Sequence, residues 1–255
     1  MKENLYPAVP ERYHGVWART LLETPDGRDT TTWVRWLQAG QWHADLRIPS
    51  DLDRSQFNGL AQQQGFCGVT QITAAQGDET EICTWHRRHD FQPPRSTPDA
   101  GTMVFETPDR VIERGIHGTY LEVWERLPES MGRRIVLQGL NADGQTTNER
   151  LLIVGSCLMH VRPRNAPWPT DLQPDESLLE LIPRHATLVK PWLDFEITFA
   201  TQQGNVWCVE RSTLPPLEGK ALFSIGDGPQ RTGQPTAHFA AGPFAGEWRI
   251  VEWDE

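Results

Sequence analysis

The 255-residue sequence predicts an all-β protein made of two similar antiparallel β units in tandem, each a barrel or a sandwich, with little helix. Three observations carry that expectation. Short runs rich in β-branched and aromatic residues recur along the chain, separated by Gly, Pro, Asn and Asp. The stretch TTTWVRWLQAGQWHADLRIP, residues 30–49, reads as two strands joined at Ala39-Gly40. The second half then repeats the order of the first. Closing a sheet into a barrel removes its exposed edges, and eight strands leave room for one small ligand.

The elements follow in order. Residues 1–14 carry Pro7 and Pro10 and read as an irregular arm. Gly15 to Glu23 alternates Val16, Ala18, Thr20 and Leu22 against Trp17, Arg19 and Leu21, a strand closed by the turn Thr24 to Gly27. In the central hairpin Val34, Trp36 and Gln38 share one face, and Trp33, Arg35 and Leu37 the other. Its second strand sets Trp42, Ala44, Leu46 and Ile48 against His43, Asp45 and Arg47. Phe57 to Leu60 fits a short helical turn over one barrel end. Residues 66–73 and 80–87 read as paired strands around Ala75-Gln76-Gly77-Asp78, and Arg88 to Asp99 as a proline-broken loop. Residues 103–107 and 110–115 form a hairpin, and 119–127 closes the unit.

In the second half, residues 134–145 parallel the first strand and turn, and 148–164 parallel the central hairpin. Residues 194–216 then match 69–94 down to a closing Pro-Pro, 221–230 match 103–110, and 247–255 echo 119–127. The expected units are therefore 1–128 and 129–255. One helix is expected within Pro169 to Pro183, capped by Asp175 or Ser177 and stopped by Pro183.

Composition narrows the function. A net charge of −10 argues against a nucleic-acid partner. No apolar run reaches the ~20 residues of a membrane-spanning helix. The N-terminus lacks the apolar core of a signal peptide, so a cytoplasmic location is expected. Cys67, Cys83, Cys157 and Cys208 are scattered and fit free thiols in a reducing compartment. Nucleophile-elbow, phosphate-loop and zinc-peptidase motifs are missing. His86 and His89 stand three apart and face opposite sides of a regular strand, so no metal is assigned, and no cofactor.

The 11 Trp against 3 Tyr point to aromatic-lined cavities or to strand faces packed by large rings. The face with His43, Asp45 and Arg47 is either solvated or lines a polar interior. If it is internal, Arg35, Asp45 and Arg47 must pair there. Two arginines against one carboxylate would leave positive charge for an anionic or carbonyl-bearing ligand. Arg87 and Trp85 add a donor and a stacking surface. Tyr120, Glu122 and Trp124 alternate onto one face beside Glu113, and a glutamate buried among rings has a raised pKa. The matching hairpin of the second unit carries Leu151, Leu152, Ile153, Val154, Leu158 and Met159, which reads as packing.

The run WARTLLETPDGRDTTTWVRWLQAGQWHADLRIP, followed by WHRRHDFQPP and VIERGIHGTYLEVWER, resembles the family of the fungal HRI1 protein and its bacterial relatives. Arg35, Gln38, Asp45, Arg47, Trp85, Arg87, Asp90, Gln92, Glu113, Tyr120, Glu122 and Trp124 carry the match. The resemblance implies two tandem calycin-like antiparallel β-barrels, related in shape to lipocalins. It implies no particular reaction.

The expected function is binding of a small organic ligand in the first barrel. Trp36, Trp85 and Trp124 would wall it, Arg35, Asp45, Arg47 and Arg87 would orient its polar groups, and Gln38 is a further ligand-binding candidate. If the protein is an enzyme, it is a cofactor-independent lyase, isomerase or hydratase for an aromatic or carbonyl-bearing metabolite. Asp45 or Glu122 would then be the base, Tyr120 a proton donor and an arginine the oxyanion donor. The alternatives are a carrier or sensor of a small hydrophobic ligand, and a protein-interaction scaffold. Homodimer formation is left open.

Overall fold

The computed structural model describes residues 6–74, 80–233 and 235–254, so the turn expected at Ala75 to Asp78 lies outside the described residues. The first sheet contains β1 (Gly15–Thr24), β2 (Gly27–Asp29), β3 (Trp33–Ala39), β4 (Trp42–Ile48) and β5 (Gln64–Ala74). It continues through β6 (Glu81–Asp90), β7 (Asp99–Thr107), β8 (Arg110–Gly115) and β9 (Leu121–Arg126). Strands β3 to β9 follow one another as an antiparallel meander, and β1 joins its two ends. On one side β1 pairs with β3 from Gly15↔Gln38 to Ala18↔Arg35; on the other it pairs with β9 from Trp17↔Arg126 to Glu23↔Leu121. A register shift between Arg19 and Leu21 lets the strand bend as it closes the barrel. Eight strands therefore form a closed barrel, and β2 is a short flap on β1.

The strands around the loop at 88–99 run further than the sequence suggests. A register shift between Cys67 and Gly68 carries the β5–β6 pairing on to Phe66↔Asp90. The short helix α1 (Phe57–Leu60) lies where it was expected.

The second sheet contains β10 (Arg134–Leu140), β11 (Thr146–Val154), β12 (Cys157–Arg162), β13 (Glu196–Gln203) and β14 (Val206–Ser212). Its last strands are β15 (Ala221–Ser224), β16 (Gln230–Gly233), β17 (Thr236–Phe239) and β18 (Gly246–Asp254). β10 pairs with β11 and β18 as β1 pairs with β3 and β9, so the two sheets share their order. They differ at closure. β7 and β8 pair as a hairpin, whereas no pairing joins β15 to β16 among the described residues. The expected second barrel is therefore a curled, nine-stranded half-barrel. The physical reason is the shortness of its end strands, four residues each, together with a concave face already filled by large rings. Trp207, Phe223, Phe239, Phe244 and Trp248 pack there on Ile135, Leu137, Leu151, Ile153 and Leu158.

The helix expected within 169–183 shrinks to α2 (Leu178–Leu181). Ser177 caps it, exchanging hydrogen bonds with Glu180 in a capping box. Pro174 and the left-handed Asp175 (φ 59°) keep the preceding residues out of the helix. A second short helix, α3 (Val189–Leu193), was not foreseen.

The largest core lies between the sheets. Leu37, Ala44, Leu46 and Ile48 point out of the barrel onto Val136, Leu152, Met159, Ile197 and Phe199. Burying each larger aliphatic side chain contributes about 1.5–3 kcal/mol, so this face holds the halves together. At its rim the Gln41 backbone N–H donates to Glu252 Oε1 at 2.9 Å.

Candidate active site in the first barrel

The hairpin register decides which residues face inward. Trp36 pairs with Asp45, Gln38 with His43 and Val34 with Arg47, and directly opposed residues of an antiparallel pair share a face. Trp36 and Val34 belong to the barrel's inner cluster with Trp17, Phe66, Trp85 and Trp124. The face bearing His43, Asp45 and Arg47 is therefore internal. Arg35 pairs with Leu46, whose side chain packs between the sheets. The expectation that Arg35 joins Asp45 and Arg47 is thus overturned by strand parity. Its guanidinium lies 4.7 Å from the Trp33 ring centre instead.

One end of the barrel holds a cavity of about 360 Å³. Of the residues expected there, Trp36, Asp45, Arg47, Trp85, Arg87, Tyr120, Glu122 and Trp124 line it. Trp36 sits between Trp85 and Trp124, with ring centres 5.3 and 5.8 Å away and both neighbours nearly edge-on. Its indole N–H is buried without an acceptor among the described residues. Gln38 lies outside the cavity lining. Its amide oxygen accepts from Thr70 Oγ1 at 2.7 Å, and Thr70 in turn lies 3.0 Å from His43 Nδ1. Thr70 spends its only proton on Gln38, so His43 must donate from Nδ1. Burial holds His43 down at about 3, so it is neutral.

The polar lining is a chain of ion pairs. Arg47 grips Asp45 with Nε–Oδ1 at 2.8 Å and Nη2–Oδ2 at 3.3 Å, and approaches Glu122 at 3.6 Å. Arg19 bridges Glu122 (2.7 Å) and Asp29 (3.0 Å). Arg87 holds Asp99 at 2.6 Å and Asp90 at 2.8 Å. The guanidinium carbons of Arg87 and Arg47 lie 3.6 and 5.5 Å from the centre of the Phe66 ring. Burial pushes the Asp45 carboxyl upward, with Arg47 pulling it back. Burial also raises Asp99, but Arg87 and Arg47 outweigh it and hold that carboxyl low.

Glu113 differs from the other carboxylates. It is 2% exposed and has no arginine partner within ion-pair distance among the described residues. Its Oε1 accepts from the Tyr120 hydroxyl at 2.8 Å and its Oε2 from the Trp124 indole N–H at 3.0 Å. Burial, then the charges of Glu122 and Asp99, raise its pKa well above the usual carboxylate range. Among the lining carboxyl groups, Glu113 is therefore the one most inclined to hold a proton. Asp45 and Glu122, expected as bases, are engaged by arginines.

Sequence reading missed Arg19, Asp29, Phe66, Arg95 and Asp99 as lining residues. The Trp17/Arg19 alternation contained a signal for Arg19, because Trp17 is internal. Arg95 comes from the loop at 91–98, where no periodicity applies, and Asp99 opens β7 in a stretch the sequence reads as loop. Among the described residues, four arginines and five carboxylates line the cavity, so the expected positive balance is also corrected.

The loop at 91–98 roofs a second hollow of about 430 Å³, which shares Gln64, Arg95, Asp99 and Tyr120 with the first. The second unit pins this loop. Asp175 Oδ1 accepts from the Ser96 backbone N–H at 2.8 Å, and the Leu178 backbone N–H donates to Gln92 Oε1 at 3.0 Å. Among the described residues, no group of three or more His, Cys, Asp or Glu has a metal-holding arrangement.

No protein-family model matches the chain, and no curated relative matches it in sequence. A solved structure does. The crystal structure of the uncharacterized protein YLR301w from Saccharomyces cerevisiae aligns with a TM-score of 0.59 at 11% identity, covering 94% of this chain and 98% of the yeast chain. The likeness spans both sheets, so this chain has the fold of the yeast HRI1 protein, a closed barrel followed by a curled half-barrel.

Proposed function

We propose that the protein binds a small organic ligand in its first barrel. The supporting observation is the contrast between the two concave faces. The first keeps a cavity of about 360 Å³ lined by rings and fixed charges, whereas the second is packed with aromatic side chains. An apolar-walled cavity with a few converging polar groups is the usual form of a small-molecule site. Ion pairs built into the wall cost little on binding because the protein has already ordered them.

The test uses the tryptophans as reporters. Fluorescence is titrated with small aromatic amines, alcohols and carboxylates, comparing wild type with Arg47→Ala. Saturable quenching by one class, weakened in the variant, supports the reading. No response from any class, with both proteins folded, sinks it in favour of a filled scaffold.

A second reading, proton-transfer catalysis without a cofactor, is favoured by the Glu113–Tyr120 contact. A carboxyl group that holds its proton near neutrality can act as a general acid, and its conjugate base as a general base. Such an enzyme would be a lyase, isomerase or hydratase, with Glu113 in the role first given to Asp45 or Glu122. Once a ligand is known, its incubation with protein in D₂O decides the matter. Deuterium entering a carbon position supports catalysis; a ligand recovered unlabelled and unchanged leaves a carrier or sensor.

A further inference from the structure

This inference rests on the reading of the first barrel as a ligand site and adds the charge of the ligand. The geometry points to a compact amine, a positively charged group on an apolar body, with its cation seated against Glu113 and the surrounding rings.

Charge balance carries the argument. Arg19, Arg47 and Arg87 are each already held by carboxylates, and Arg87 spends one arm on Asp90, which lies outside the lining. Glu113 and Arg95 are left over, neither in an ion pair with the other lining groups among the described residues, and Arg95 lies on the exposed loop while Glu113 is 2% exposed. With Glu113 ionised, the described residues of the lining carry five negative groups against four positive ones. A proton on Glu113 restores the balance, and so does a ligand cation beside an ionised Glu113. An anionic ligand would leave the lining net negative with Glu113 in either state, and unpaired charge is expensive in a buried site.

The walls suit the same ligand. Trp36, Trp85 and Trp124 give the cavity three indoles, the ring type with the strongest attraction for cations. The protein already places its own guanidinium groups against Phe66. Trp36 adds a separate requirement, because its buried N–H has no acceptor among the described residues. A hydroxyl or carbonyl oxygen on the ligand would satisfy it.

The site itself is built by two glycines. Gly101 and Gly115 face each other across β7 and β8. A Cβ on Gly101 would lie 2.6 Å from Glu113 Cγ, and one on Gly115 would lie 2.2 Å from Tyr120 Cε1. The absent side chains make the space in which Glu113 and Tyr120 meet.

Binding is an exchange of cations. The protonated Glu113 carboxyl meets the ligand ammonium, a carboxylate–ammonium pair forms, and the carboxyl proton leaves to solvent. No bond other than O–H breaks, and nothing is oxidised or reduced.

The experiment uses three probes of similar size: 2-phenylethylamine, 2-phenylethanol and 3-phenylpropionate. Calorimetric titrations are run from pH 5 to 8, in buffers of different ionisation heat. The amine is expected to bind at least about tenfold tighter than the alcohol, and the carboxylate weakest of all. Amine affinity should rise with pH while free Glu113 stays protonated, with proton release that the alcohol does not show. Glu113→Gln should remove both the pH dependence and the preference for the amine. If that variant does not fold, the ranking of probes by the wild type decides alone. Tighter binding of the carboxylate or the alcohol overturns the charge assignment and leaves a ligand barrel standing. Failure of all three to bind, together with the wider panel, overturns both.

Discussion

The Tyr120 hydroxyl donates to Glu113 Oε1 across 2.8 Å, inside a barrel whose other lining carboxylates, Asp29, Asp45, Asp99 and Glu122, are each bound by an arginine. Gly101 and Gly115 leave the space for this contact. Adding a methyl group at either position should disturb it to different degrees. At Gly101 the methyl meets the Glu113 side chain, which can give way at a cost of about 1–2 kcal/mol. At Gly115 it also meets the Gly118 carbonyl oxygen at 2.4 Å, which is backbone, and the cost should reach about 3 kcal/mol. Urea unfolding of Gly101→Ala and Gly115→Ala measures the two. Equal, negligible losses would show that the space is not needed.

Glu113 also predicts a pH dependence of stability. Its folded pKa is raised by burial and by Glu122 and Asp99, so the folded state binds the proton more tightly than the unfolded chain does. Its contribution is complete below the ordinary value of 4.5 and is lost as pH rises through the raised folded pKa. Glu113→Gln should therefore gain stability relative to wild type between pH 5 and 8. Denaturant midpoints across that range check the sign. A wild-type-like slope in the variant would contradict it.

His160 gives a second titration in the half-barrel. It is 5% exposed, with Nε2 2.6 Å from Glu149 Oε1 and Nδ1 2.9 Å from Glu196 Oε1. Burial alone would lower its pKa, but the two glutamates outweigh burial and raise it to about 9. The charged imidazole therefore supports the fold fully below 6.5, and that support fades as pH rises through about 9. The loss should be up to about 3 kcal/mol. His160→Gln should flatten the stability curve over this window, and an NMR titration of the ring should give the midpoint directly. A midpoint near 6.5 would mean that the glutamates do not hold the proton.

The Asp45–Arg47 fork should behave as a buried pair. Arg47→Met strands a carboxylate whose side chain is only 2% exposed, and should cost about 3 kcal/mol or more. Asp45→Asn in the same molecule should recover much of that loss, because no charge is then left alone. A double-mutant cycle on unfolding free energies makes the comparison. Additive losses would show that the two groups do not act together.

The alternation in Thr30 to Pro49 was enough to give the hairpin, and repetition of that pattern gave two related sheets. What alternation could not supply was register. Arg35 and Asp45 both look suited to a polar interior, but Trp36, not Arg35, stands opposite Asp45. One residue of offset puts a side chain on the other face of the sheet. Closure was also hidden. Only strand lengths and pairing separate the β7–β8 hairpin from the unjoined ends at Ser224 and Gln230. The wall tryptophans Trp36, Trp85 and Trp124 were legible because rings in alternating strands must face a core. Glu113 was legible only as one of the polar residues on the closing strands, and its distinction from Glu122 depends on which arginines reach each one. That is a long-range fact.

The central claim is that ligands enter the first barrel, and fluorine NMR of protein labelled with 5-fluorotryptophan tests it most directly. Signals are assigned by single Trp→Phe substitutions, and the small-molecule panel is then titrated. The signals of Trp36, Trp85 and Trp124 should shift together and saturate, while those of Trp207 and Trp248 in the filled half-barrel stay fixed. Shifts confined to Trp207 and Trp248, or no saturable shift with any member of the panel, would contradict the account.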